Sequence, residues 1–189
     1  MAASATVSST PGAPGSEPVA DWGVFYDAHF DYVWRSLRRL GVPEAALDDA
    51  TQEVFVIALR RHGQFEGRSS VRTWLFGIAL NRARELARSV RRRAEDELPE
   101  YLPDIAAPDQ EQRAIDAQAL AVVYRALDEL TSDRRAVLVM ADVEEMTASE
   151  IAELLAIPLN TAYSRIRLAR RDFEAALRHC RIRTARRIP

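Results

Sequence analysis

The sequence predicts an all-α protein of two small helical domains, three helices in the first and four in the second, joined by a flexible acidic linker. Three observations carry that expectation. Apolar residues recur at three- and four-residue intervals in long runs on both sides of mid-chain, the periodicity of helices with one buried face. Charge is sharply segregated: ten Arg between Arg60 and Arg93 oppose only Glu66 and Glu85, nine Arg from Leu159 to Pro189 oppose Asp172 and Glu174, and eight acids between Ala94 and Asp116 face Arg113 alone. Finally, a capping signal, a helix, a tight turn and an arginine-rich helix follow one another from Thr147 onward.

Composition bounds the function classes. The 189 residues are 48% hydrophobic and 29% charged, ordinary for a globular protein, and suffice for one large domain or two small ones. All 26 cationic residues are Arg, and the formal net charge is only −2 because the acids gather elsewhere. A single cysteine, Cys180, excludes an intramolecular disulfide and a Cys-cluster zinc site. No apolar run approaches the roughly 20 residues that span a bilayer, and the N-terminus lacks the cationic segment and apolar core of a secretory signal. The expectation is a cytoplasmic protein with no cofactor and no membrane insertion.

Residues 1–20 are small, polar and Pro- and Gly-bearing, too poor in apolar surface to offset ordering entropy, and read as a disordered tail. The first domain, 21–93, opens with Asp21 as N-cap of a helix whose apolar side is Trp22, Phe25, Tyr26, His29, Phe30, Val33, Leu37 and Leu40; Gly41 and Pro43 end it. His29 reads as a packed histidine, since no second His or Cys lies at ligand spacing. A second helix, Glu44 to His62, gathers Leu47, Ala50, Val54, Ala58 and Arg61 in one sector, flanked by Phe55 and Ile57. Opposite lie Asp49, Gln52, Glu53, Val56 and Arg60, with Asp48 at the border: carboxylates to steer a partner and one aliphatic to desolvate. Without an accompanying His, metal ligand or nucleophile these acids do not form a catalytic pair.

The loop Gln64–Ser70 sets Phe65 between Gly63 and Gly67. Phe65 is either a platform for an unstacked base or packed into its own domain. Ser69 or Ser70 then caps a long helix. Val71, Trp74, Leu75, Ile78 and Leu86 form its buried stripe, and Thr73, Gly77, Asn81, Arg84, Arg88 and Arg91 a polar, increasingly cationic row. Guanidinium groups in a row with an amide among them suit a phosphate backbone, with one group able to read a base edge.

Residues 94–116, with Pro99, Pro103 and Pro108 among the acids, read as an extended, self-repelling linker. Such a strap either keeps off the domains' nucleic-acid surfaces or runs through a cationic channel in a partner. The second domain, 117–179, has its first helical pattern starting near Asp109, with a seam of Ile115, Leu120, Val123, Leu127 and Leu130. Thr131 or Ser132 caps the next helix, Asp133–Val143. Thr147 and Glu150 form a capping box for a helix through Leu155, and the turn Ala156–Leu159 leads to a helix from Asn160. Its inner stripe is Ala162, Ile166, Ala169, Phe173 and Leu177; its outer row is Asn160, Ser164, Arg167, Leu168 and Arg171, flanked by Tyr163 and Arg170. That is a helix-turn-helix, whose second helix lies in the major groove with N-terminal residues at base edges. Residues 180–189 read as a frayed basic tail adding phosphate attraction.

Three stretches in order, DDATQEVFVIALRR, FEGRSSVRTWLFGIALNRAR and LDELTSDRRAVLVMADVEEMTASEIAELLAIPLNTAYSRIRLARR, resemble regions two and four of bacterial sigma-70 factors, specifically the two-domain extracytoplasmic-function (ECF) group. The resemblance covers about Val24–Arg93 and Leu120–Leu177. It implies a non-catalytic subunit that binds core RNA polymerase and directs initiation at promoters. Asp48, Asp49, Gln52, Glu53 and Val56 would dock on the clamp helices of the largest polymerase subunit, and the second domain on the flap region. Phe65, Arg68, Ser69, Thr73, Asn81, Arg84, Arg88 and Arg91 would capture and read the −10 element of promoter DNA. Asn160, Thr161, Tyr163, Ser164, Arg165, Arg167, Leu168 and Arg171 would read the −35 element. An anti-sigma factor is a further implied partner. The sequence departs from the family at Ala162, commonly Val, and Tyr163, commonly Lys or Arg. The alternative is a stand-alone helix-turn-helix regulator, which gives the acidic face of the second helix no role.

Overall fold

The structure, a computed structural model, describes residues 21–67, 69–94 and 111–185. Within them the chain is helical: α1 (Trp22–Arg39), α2 (Leu47–Arg61), α3 (Val71–Ala94), α4 (Glu111–Asp128), α5 (Ser132–Leu138), α6 (Ala148–Leu155) and α7 (Leu159–Ala185). The readings of 1–20 and most of the acidic linker fall outside the described residues.

Three helices make the first lobe. The Asp21 carboxylate caps α1, accepting from the backbone N–H of Gly23 at 2.8 Å and Val24 at 3.3 Å. Gly41, at φ +92, ends α1 in a conformation open to glycine. A single 3₁₀ turn, Glu44–Ala46, leads into α2, which buries Leu47, Ala50, Thr51, Val54, Phe55 and Ala58, while Arg61 is exposed. The α3 stripe is wider than its expected five residues: Leu75, Phe76, Ile78, Ala79, Leu80 and Ala83 are all buried. Aromatic rings of α1 fill the space above α2, with Tyr26 at 4.6 Å and Phe25 at 6.4 Å from the Phe55 centroid. His29 belongs to this cluster, edge-on to Phe25 at 4.7 Å, with its Nδ1 buried.

Four helices make the second lobe, with α7 packing on α4, α5 and α6. The buried face of α4 is Val122, Ala126 and Leu127, continued by Leu130 in the turn after it; Leu120 is 54% exposed and Val123 also faces outward. The seam is therefore turned from the one expected, because α4 also offers Tyr124 to the first lobe. Helix α4 begins at Glu111, inside the stretch read as linker. The C-terminal tail is corrected as well: α7 continues to Ala185, and Cys180 is buried against Glu129, just past the end of α4, its Sγ 3.5 Å from Glu129 Oε1. After Leu138 the backbone widens into a π turn, Val139–Val143. The capping box at α6 is complete: Thr147 N donates to Glu150 Oε2 at 2.7 Å, and Glu150 N to Thr147 Oγ1 at 3.3 Å. Helix α6 ends in a Schellman arrangement, Ile157 N to Ala152 O at 2.9 Å, with Ala156 at φ 51, ψ 48.

The lobes are docked on each other, and their buried residues join in one hydrophobic cluster. Arg135 of α5 is buried; its Nε donates to Leu127 O at 2.7 Å, its Nη2 pairs with Asp128 at 3.2 Å, and its guanidinium lies over Gly41 of the first lobe. Burial pushes the Arg135 pKa down, with Asp128 opposing.

Two outcomes follow. An L-residue in the left-handed region costs about 1–2 kcal/mol, against about 0.5–1 kcal/mol of chain entropy that glycine forfeits. Ala156→Gly is therefore expected to raise stability by about 0.5–1 kcal/mol, read as a higher urea midpoint at unchanged slope. Burial, with the nearby Arg72 charge, lowers the pKa of His29. The unfolded chain then takes up the proton first, so acidification through about pH 6.5 costs stability. A His29→Phe variant is expected to show a flatter loss of stability between pH 7 and pH 5 in thermal melts.

Candidate nucleic-acid interface

The Ser70 side chain starts α3. Its Oγ accepts from Thr73 N at 3.1 Å and lies 2.9 Å from Thr73 Oγ1, while Ser70 O accepts from Trp74 N at 3.0 Å. The preceding loop is held by Phe65, half-buried and stacked at 5.0 Å and 39° on Trp74. Of the two options for Phe65, packing within its own lobe is the one seen. The residues expected to meet the −10 element then divide. Phe65, Ser69 and Thr73 surround the N-terminal turn of α3, whose cleft faces the second lobe. Asn81 and Arg88 stand exposed further along, with Arg84 half-buried between them. Arg68, and the side chain of Arg91, lie outside the described residues. Arg82 turns aside to an ion pair with Glu53 of α2.

That pairing touches the anionic face of α2. Asp48, Asp49, Gln52, Glu53 and Val56 are all exposed on one side of the helix, Val56 by 45%. Two of the five are already engaged, Glu53 with Arg82 and Asp48 as acceptor from Trp34 Nε1 at 3.1 Å. Leu59 is 48% exposed one turn beyond Val56, so the apolar part of the patch is a pair. The i, i+3 spacing of the two was the signal that finds it.

On α7, Asn160, Tyr163, Arg165, Arg167 and Arg171 are exposed, Tyr163 by 60%, while Thr161, Ser164 and Leu168 are half-buried. Ala162 is fully buried in the helix-turn-helix interior. Ser164 Oγ donates back to Thr161 O at 2.9 Å. Asn160, Tyr163, Ser164, Arg167, Arg170 and Arg171 border an open depression of about 710 Å³ along the helix. Leu168 turns away from it, lining with Arg165 a depression of about 380 Å³ shared with Arg134 and Val137 of α5.

Carboxylates decide which of these arginines are committed to the fold. Asp142 holds Arg170 with contacts of 2.6 and 2.9 Å, and that pairing raises the Arg170 pKa further. Asp172 takes Arg134 and also Arg171, the latter at 3.1 Å. Among the described residues Arg84, Arg88, Arg165 and Arg167 have no carboxylate partner, which leaves their charge available to a polyanion.

Two helical lobes, one with an amide and arginines on α3 and one with a helix-turn-helix presenting α7, define a bipartite DNA-binding protein with a separate exposed acidic and apolar face on α2. Residues 25–93 match the profile of Sigma-70 region 2, and residues 120–173 that of Sigma-70, region 4. The chain belongs to the sigma-70 family of RNA polymerase sigma factors, in its extracytoplasmic-function group. It is 32% identical over 158 residues to the ECF RNA polymerase sigma factor SigE of Mycolicibacterium smegmatis, covering 80% of this chain and 59% of that one. It is 33% identical over 140 residues to the RNA polymerase sigma-H factor of Pseudomonas aeruginosa, covering 68% of this chain and 72% of that one. The fold resembles the sigma factor RpoE of Bartonella quintana, solved with the anti-sigma factor NepR, at TM-score 0.69 and 20% identity over 85% of this chain and 98% of that one. Among the described residues no helix is long and apolar enough to cross a membrane.

Proposed function

We propose that this protein directs core RNA polymerase to promoters in the cytoplasm as a non-catalytic initiation subunit, with its two lobes engaging two segments of one duplex. The observation that carries the reading is the coexistence of unpaired arginines on two separate outward helix faces with an acidic, Val56- and Leu59-bearing face that stays exposed among the described residues. Residues 21–93 hold the polymerase through α2 and the −10 element through α3. The lobe from α4 to α7 reads the −35 element, with the N-terminal half of α7 entering the major groove. Asn81 is the group on α3 suited to a base edge, since an amide presents paired donor and acceptor. Arg84 and Arg88 supply phosphate contacts. On α7, Asn160, Thr161, Tyr163 and Ser164 occupy the first turns, where base contacts are made, and Arg165 and Arg167 follow the backbone, with Arg171 partly neutralised by Asp172. Leu168 supports the helix against α5. An anti-sigma protein is the regulator that the family suggests, and the acidic segment between α3 and α4 is the tether between the lobes.

Placing a charge at the centre of the apolar pair tests the polymerase contact. Val56→Asp is expected to weaken binding to core RNA polymerase by about 30-fold, the scale of a ~2 kcal/mol interface centre. Binding of −35 duplex by the isolated chain is expected to stay unchanged; a stand-alone regulator would be indifferent to this substitution, and unaltered polymerase binding would refute the docking face. For α7, Arg167→Ala is expected to weaken duplex binding evenly across sequences and reduce the slope of log affinity against log salt by about 1, whereas Arg170→Ala, already neutralised by Asp142, is expected to leave that slope nearly constant.

A further inference from the structure

The leading edge of α7 has a composition unlike the rest of the protein. Residues 154–164 carry no charged side chain, in a chain that is 29% charged, and Arg165 is the first charge beyond them. Within that neutral segment two large apolar side chains point to solvent, Leu159 with 45% and Tyr163 with 60% of the residue exposed. They are four residues apart and so stand on one helix face, about 5–6 Å between Cβ atoms. Neither joins the hydrophobic cluster of the fold. Among the described residues the Tyr163 ring and hydroxyl have no ring contact, ion pair or hydrogen bond. Their surroundings are fixed by the fold. Ala162 and Ile166 are buried on the inner face, and the backbone N–H groups of Thr161 and Ala162 donate to Pro158 O at 2.9 and 3.1 Å. Ser164 Oγ commits its proton to Thr161 O. Asn160, beside the pair, is exposed with its amide unengaged among the described residues.

We propose that Leu159 and Tyr163 form an apolar reading edge for the C5-methyl groups of thymines in the major groove, and that this protein's −35 element carries thymine beneath the first turn of α7. The inference rests on the assignment of α7 to the −35 element and names what its first turn reads. The thymine methyl is the apolar marker of the major groove; the other groups on the base-pair edges there are hydrogen-bond donors and acceptors. An edge without charged side chains has no cation to offer a phosphate, so positioning on the backbone falls to Arg165 and Arg167. Stacked base pairs lie about 3.4 Å apart, so the Leu159–Tyr163 spacing covers one to two steps and reaches thymines of neighbouring pairs. Asn160 lies alongside with a donor and an acceptor together, the pattern that matches N6 and N7 of adenine in A·T pairs. The contact is made by the apolar body of the Tyr163 ring and does not depend on its hydroxyl.

Deoxyuridine differs from thymidine by that methyl alone, which isolates the contact. The full chain selects its preferred duplex from a randomised library. Each thymine of that duplex is then exchanged singly for deoxyuridine, with affinity read by fluorescence anisotropy. Loss of a covered methyl is expected to weaken binding by the unaltered chain about fourfold, at one or two positions. Tyr163→Ala and Leu159→Ala are each expected to bind the thymine and deoxyuridine duplexes alike at one of those positions, and Tyr163→Phe to keep the discrimination. All three variants are expected to melt at the temperature of the unaltered chain, because neither side chain closes the core. Tyr163→Ala is expected to keep the slope of log affinity against log salt, since no charge is lost. A selected site without thymine, indifference to every exchange, or discrimination that survives in both alanine variants would overturn the proposal. So would loss of core polymerase binding in Tyr163→Ala at unchanged deoxyuridine sensitivity, which would make the edge a protein contact. The parent assignment fails on a different result: no sequence-selective duplex binding, with Arg167→Ala leaving affinity unchanged. A reduced salt slope in Arg167→Ala beside indifference to deoxyuridine keeps the assignment and rejects the methyl contact alone.

Discussion

The burial of α3 on three sides is the constraint on which the rest of the structure depends. A helix that turns a row of arginines outward has only part of its circumference left to bury. Here Leu75, Ile78 and Ala79 stay at or below 6% exposure, while Phe76, Leu80 and Ala83 extend the buried arc toward the second lobe. Each fully buried large apolar side chain contributes about 1.5–3 kcal/mol, so the widened arc fixes α3 far more firmly than its Arg-rich C-terminal half could. The remaining arc carries Asn81, Arg84 and Arg88. Rigidity in the first half of the helix gives orientation to the row in the second half.

The same economy governs charge. A protein with 26 arginines and a net charge of −2 must decide which guanidinium groups serve the fold and which face a ligand. Glu53, Asp128, Asp142 and Asp172 make that decision by taking Arg82, Arg135, Arg170 and Arg134. The exposed pairs contribute little stability, about 0–1 kcal/mol each, yet they restrict side chains that would otherwise compete for phosphates. Arg135 differs in kind. It is buried, hydrogen-bonded to Leu127 O and seated on the Gly41 turn, so it ties the α4–α5 corner to the first lobe. Losing its partners would leave a buried charge uncompensated, which is far costlier than losing a surface pair.

Much of this was legible from residue patterns, and the exceptions share a cause. The Asp21 cap, the Thr147–Glu150 box and the inner stripe of α7 are local, each specified by residues within one or two turns. Helix α4 failed because several apolar choices fit a 3.6 period, and Val122 with Ala126 buries as well as Leu120 with Val123 until the neighbours are known. Phe76 lies outside the five-residue stripe expected for α3 because its environment comes from a lobe some seventy residues later in the chain. The C-terminal stretch read as a tail from its charge, although Cys180 and its neighbours pack on α4. The π turn at Val139–Val143 has no signal in composition at all. Its effect is specific: it lets Asp142 face α7 while Glu144, two residues on, faces the first lobe.

Magnitudes decide how firmly such a docked arrangement is held. The contact consists of one charge-assisted hydrogen bond, from Tyr32 to Glu144, worth about 1.5–3 kcal/mol, a longer ion pair between Arg39 and Glu144, worth at most about 1, and a cation–π contact of Arg38 on Tyr124, worth about 0.5–2. Together with the thin apolar contact between Gly77 and Leu154, this holds the lobes with a few kcal/mol. Val56 and Leu59 of α2 lie outside that contact, so their exposure does not depend on it.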